Sequence, residues 1–280
     1  MTLDQDSNVP RSVYIFFIII FILVTPVSIG LLIWPHTFGP SFFWALKPFN
    51  TRFLGFLYTA EMAVVFIMTY YRTWSPARFA MWSAWIFTGW ATLITTILFN
   101  QVVFTKTWRV VLWFFLYLGS FLIISYLFTK TKAYKILQTV SLNLLSRFLL
   151  IFHTLILSFH AIGLIISPAS FSSDFWPLSL DVFSGRFYAG IFLLSLYGNY
   201  IVYKGAHWKE MLTYGVILIV FSFGVVLGLI LVDHEVHKIN WSGFNTWFWM
   251  ISSFISGLMG IYWIRYSKHF RIPINSNLAR

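Results

Sequence analysis

The chain contains eight stretches of about 20 predominantly apolar residues, the length of helix that spans a hydrocarbon core of about 30 Å. Backbone groups in lipid have no water to bond, so a spanning run of this length folds as a helix. The stretches are Val13–Ile33, Phe53–Tyr71, Phe79–Phe99, Val110–Phe128, Phe148–Ser167, Phe187–Tyr203, Met211–Val232 and Phe244–Ile264. The first is too long for a secretory leader, contains Pro26 and has no small-x-small site after it. It reads as a retained, kinked helix. With 59% hydrophobic and 10% charged residues, the chain lacks the charge to cover a water-facing surface. This excludes a soluble globular enzyme, a disordered chain and a nucleic-acid-binding domain. The expected fold class is an all-α, polytopic integral membrane protein in contact with the lipid bilayer.

The net charge of +11 then reads as loop charge rather than as affinity for nucleic acid. With the N-terminus cytoplasmic, thirteen of the 19 Lys and Arg residues fall on the inner side and six on the outer side. The bias places both termini inside, and the expected location is the cell membrane. Cysteine is absent, which removes disulfides, thiolate ligands and thiol nucleophiles.

The two halves of the sequence resemble each other. Phe43-Trp44-Ala45-Leu46 followed by Phe49-Asn50-Thr51-Arg52-Phe53 returns as Phe175-Trp176-Pro177-Leu178 followed by Phe183-Ser184-Gly185-Arg186-Phe187. The offset stays at 133–134 from Gly30/Gly163 through Trp74/Trp208 to Trp108/Trp241 and Trp113/Trp247. Expected boundaries are a cytoplasmic tail 1–12, a first four-helix unit 13–128, a basic connector 129–147, a second unit 148–264 and a basic tail 265–280. Four helices return the chain to its starting side, so the two repeats run parallel and their pseudo-twofold axis lies along the membrane normal. A site between the units is the natural expectation. In the duplicated segment the Trp is expected at headgroup level. Arg52 and Arg186 are expected at the outer mouth as an anion- or headgroup-binding pair, or as positional anchors.

Few polar groups lie within the spans. Glu61 is the one acid, opposite Ser195 in the repeat, and at that depth it must be paired, neutral or in contact with water. His153 and His160 share one face of the fifth span, two turns apart. They suit a proton relay with Glu61, or structural hydrogen bonds. They suit bis-His haem poorly, because both lie on one face of a single helix. Asp233, His234, Glu235 and His237 form a dense outer cluster, an ordinary polar loop or a metal site if His36, Asp174 or Asp181 joins it. No cofactor is implied by a motif. The leading functional reading is a channel or secondary carrier for a small solute or ion. The alternatives are a metal- or haem-linked membrane enzyme and a non-catalytic subunit of a larger complex, with homo-oligomerisation open in each case.

Overall fold

The computed structural model describes residues 6–44, 46–101, 107–134, 140–237 and 239–270. The outermost tail residues and the centre of the 129–147 connector lie outside these. Among the described residues the chain forms ten α-helices and a single 3-10 turn at Phe99–Gln101, with an isolated antiparallel bridge between Asn8 and Thr73. The helices are α1 (Arg11–Ile33), α2 (Pro35–Ser41), α3 (Pro48–Tyr71), α4 (Trp74–Ile97), α5 (Thr107–Thr131), α6 (Leu144–Ile166), α7 (Pro168–Phe175), α8 (Val182–Gly205), α9 (Trp208–Val236) and α10 (Phe244–Lys268). Six of them, α1, α3, α5, α6, α9 and α10, are long and apolar enough to cross a membrane. The protein is therefore a multi-pass helical membrane protein.

Helices α4 and α8 are as long, at 24 residues each, but less apolar. Their sequences are broken by Trp, Tyr, Ser, Thr, Gly and the cations Arg78, Arg186 and Lys204. They pack against each other in the interior, where polar and small side chains meet protein rather than lipid. Pro26 lies within α1, which continues across it.

Each half of the chain has the order long, short, long, long, long. Helix α1 packs on α3 as α6 packs on α8, and α3 packs on α9 as α8 packs on α4. The short helices start at Pro35 and Pro168, where a missing N–H costs nothing. They fold back closely, because a Cβ at Gly30 or Gly163 would run into Phe38 or Phe171 respectively. The expected offset fails in the last helix. Helices α5 and α10 begin at 107 and 244, and the Trp that packs on the duplicated-segment Trp is Trp113 in one half and Trp249 in the other. The extra residues lie in α9, which has 29 residues against 24 in α4.

The junction between the halves is filled. Trp44 and Trp176, expected at headgroup level, are buried within the protein. Trp44 meets Phe187 and Phe183 edge-on across the junction, and Trp176 meets Phe53. Edge-to-face rings satisfy each other's quadrupoles and exclude a void. Lower down, two rings seat on glycines in a crossed pattern. Trp90 of α4 covers Gly190 of α8, and Phe56 of α3 covers Gly224 of α9. Positions 56 and 190, and 90 and 224, are each 134 apart, so large and small residues exchange sides between the two contacts. Trp90 also donates to the Arg186 carbonyl at 2.8 Å.

Gly224→Leu is predicted to drive its side chain into Phe56 and lower stability by about 1–3 kcal/mol, as overpacked sites do. Adding Phe56→Ala should recover part of that loss. Thermal unfolding of the two single variants and the double checks this, and strict additivity would show that the contact is not meshed.

Candidate functional site

A cavity lies inside the first half, away from the filled junction. It occupies about 320 Å³ among α1 to α5. Its walls are Phe17, Val24 and Val27 of α1, Phe42 and Phe43 of the following loop, Tyr58, Glu61 and Met62 of α3, Ala84, Phe87 and Thr88 of α4, and Leu116 and Tyr117 of α5. Arg109 lines it toward the α2 end and donates to the Phe42 carbonyl at 2.9 Å. The space exists because α1 packs chiefly on α3 and α2, and α5 on α4. Leu23 of α1 and Leu112 of α5 line the cavity and are also exposed on the outside, so its flank between these helices faces the bilayer.

Glu61 is the acid of this chamber. Among the described residues nothing hydrogen-bonds its buried Oε1. The surrounding hydroxyls are engaged elsewhere. Tyr58 and Tyr117 bond each other, Thr88 bonds the Ala84 carbonyl at 2.7 Å, and Ser28 and Thr59 bond each other at 2.8 Å. Thr92, Thr95 and Thr96 likewise bond carbonyls one turn back, so the hydroxyl stripe of α4 braces its own helix. A carboxyl left without a partner among apolar groups is costly, and a ligand that supplies one would gain that difference.

The second half contains a smaller cavity, almost closed, at about 30 Å³. Eight lining positions on α1, α3 and α4 correspond at offsets of 133 or 134, among them Val27/His160, Tyr58/Phe192, Glu61/Ser195, Ala84/Leu218 and Thr88/Ser222. His160 fills it. Its ring stacks on Phe192 at 5.0 Å and 12° and on Phe248 at 5.8 Å and 23°, with Nδ1 against the Ile156 carbonyl at 2.9 Å. His153 is buried, with Nδ1 on Asn199 at 3.2 Å and Nε2 on Ser256 at 3.0 Å. Glu61 and the two His thus line or neighbour matching niches in opposite halves, and the structure does not bring them together as a relay. Helix α6 also packs on α10 there, which closes the flank left open between α1 and α5.

The arginines of the duplicated segment differ in role. Arg52 is buried and forms a two-point pair with Glu235, with Nη1 on Oε2 at 2.9 Å and Nη2 on Oε1 at 2.5 Å. His36 completes the group at 2.9 Å from Glu235 Oε2. Arg186 bonds the Ile165 carbonyl through Nε at 3.1 Å. Asp233 ties the α9–α10 loop, accepting from Ile239 N at 3.0 Å and Trp241 Nε1 at 2.6 Å. His237 ends α9 in the left-handed region, at φ 49°. His234 is exposed. Among the described residues no three His, Cys, Asp or Glu side chains are grouped to hold a metal ion.

At the opposite end is a buried charge cluster that sequence reasoning missed. Arg78 of α4 pairs with Glu210 of α9 at 2.8 and 2.9 Å. Asp6 takes Ser75 Oγ at 2.6 Å and Lys209 Nζ at 3.2 Å. His207 caps α9, with Glu210 reaching back to its backbone N–H. The His207–Glu210 spacing, a capping box with an unusual first residue, was the available signal.

No family model matches this chain, and neither a curated protein nor a solved structure matches it.

Burial tends to raise the Asp6 carboxyl, but the Ser75 hydrogen bond and the Lys209 charge outweigh it and hold the group below its ordinary 3.8. Such a carboxyl stabilises the fold above that value and loses its contribution as pH falls through and below 3.8. Asp6→Asn is therefore predicted to lower the Tm at neutral pH and to match the wild type in strong acid. Melting curves across pH check this, and a gap that widened in acid would contradict it.

Proposed function

We propose that this protein is a secondary carrier built from two parallel four-helix units, which takes a small, largely apolar solute into the chamber of the first unit and engages it at Glu61. The observation that carries the reading is the buried, unpartnered Glu61 Oε1 on the wall of a cavity of about 320 Å³. A lone carboxyl in apolar surroundings is rare unless it meets a ligand, an ion or a proton. Duplication is supported by the shared element order, by the matching helix contacts and by eight paired lining positions. On this reading α4 and α8 complete eight crossings, and the charge bias puts both termini in the cytoplasm.

The remaining sequence-derived residues take structural parts in this proposal. His153 and His160 fill the second unit. Arg52 and Glu235 tie α3 to α9, with Arg186 holding the end of α6. The outer Asp233–His237 group shapes the α9–α10 loop.

The absence of cysteine gives a clean test. Thr88→Cys sets one thiol on the chamber wall. A carrier alternates its opening, so impermeant methanethiosulfonate should modify this thiol from either face of sealed vesicles, while Ser222→Cys in the closed niche reacts at least tenfold more slowly. Modification from neither face, or from one face alone, would overturn the carrier reading.

A further inference from the structure

The closed niche of the second half shows what the open chamber of the first is shaped to hold. In the second half a flat, nitrogen-bearing ring, the His160 imidazole, lies against Phe192 and Phe248. In the first half the same position carries Val27, which stops short and leaves the ring's place vacant, while Tyr58 keeps an aromatic wall where Phe192 stands. Among the paired positions the gain of charge is where Glu61 replaces Ser195. The second half supplies its own ring, and the first half supplies a ring-sized space with an acid beside it.

We infer that the first chamber binds a flat aromatic molecule carrying a basic nitrogen, with the ring stacked in the place His160 fills in the other half and the ammonium on Glu61. This rests on the proposal that the chamber is a solute site and names its ligand class. Aromatic walls favour both the ring, by offset stacking, and the cation, by its attraction to ring faces. The carboxylate and ammonium neutralise each other where neither would be tolerated alone. Besides the aqueous openings of the carrier, the chamber has a lateral opening for such a molecule, on the flank where Leu23 and Leu112 are exposed and α1 lacks the packing that α6 makes with α10. Arg109 at the α2 end sets a positive charge there, which disfavours approach of a free cation from the loop side.

Three probes that share one ring and differ in charge decide the point: 1-naphthylmethylamine, 1-naphthylmethanol and 1-naphthoic acid, titrated calorimetrically into protein in nanodiscs against empty nanodiscs. The amine should bind at least tenfold more tightly than the alcohol, and the acid most weakly. Glu61→Gln should bring amine and alcohol within twofold of each other. Val27→His and Ala84→Leu each install the second half's residue, and either should weaken every probe at least tenfold; two fillings of different shape guard against one failing to fold. Equal binding of all three probes, or an amine preference that survives Glu61→Gln, overturns the ligand class. So does a lack of binding by any probe while Thr88→Cys is still modified, which leaves the solute chamber standing. No binding together with an unreactive Thr88→Cys removes both.

Discussion

Helices in lipid gain nothing from hiding apolar surface from water, so close packing has to hold them together. In this chain the packing that matters most is the crossed pair of ring-on-glycine contacts, Phe56 over Gly224 and Trp90 over Gly190. Each lets two long helices approach by taking a large side chain into the notch left by a missing Cβ. Above them Trp44 and Trp176 reach across to Phe187 and Phe53. The junction between the halves is therefore solid. The chamber lies to one side of this packing, within the first half.

The two niches show how matching walls diverge. Substituting Val27 for His160 and Ala84 for Leu218 removes side-chain volume from the same place in the first half. Such voids in a protein interior are costly, since lining atoms lose dispersion contacts. The first half keeps the void and adds Glu61 to it, two unfavourable features in one spot. The second half removes both, with a ring in the space and Ser195 bonded to the Ile191 carbonyl at 3.1 Å. Features that cost stability and occur together are the mark of a site kept for binding.

Much of this was legible in the sequence, for definite reasons. Each of the eight apolar runs is covered by a long helix, give or take a residue or two at the ends, because length and hydropathy dominate helix formation in a membrane. The short helices start at Pro35 and Pro168, whose fixed φ suits a first helical turn without by itself marking one. Glu61 stood out as a lone acid, and it does line the chamber. The burial of Trp44 and Trp176 within the protein was not legible, because Trp suits both an interface and a core and local sequence does not separate the two. The pairs Arg52–Glu235 and Arg78–Glu210 join residues 183 and 132 positions apart, so only the fold could assign them. The chamber itself was invisible, since a cavity is set by what α1 and α5 fail to touch.

Those ion pairs also constrain how the proposed carrier would move. Glu210 and Glu235 sit near opposite ends of α9, one held by Arg78 of α4 and the other by Arg52 of α3. Helix α9 is thus pinned at both ends to the first half, and it packs on α10 in the second. Breaking a largely buried pair strands a charge, so rocking the halves against each other is resisted. Helices α1 and α5 are the least buried of the six apolar helices. Pro26 lies in α1 between Val24 and Val27 of the chamber wall, where a helix lacks one backbone hydrogen bond and bends most readily. The movement that opens and closes the chamber then belongs to α1 and α5, flexing against a core of α3, α4, α8 and α9 that stays fixed.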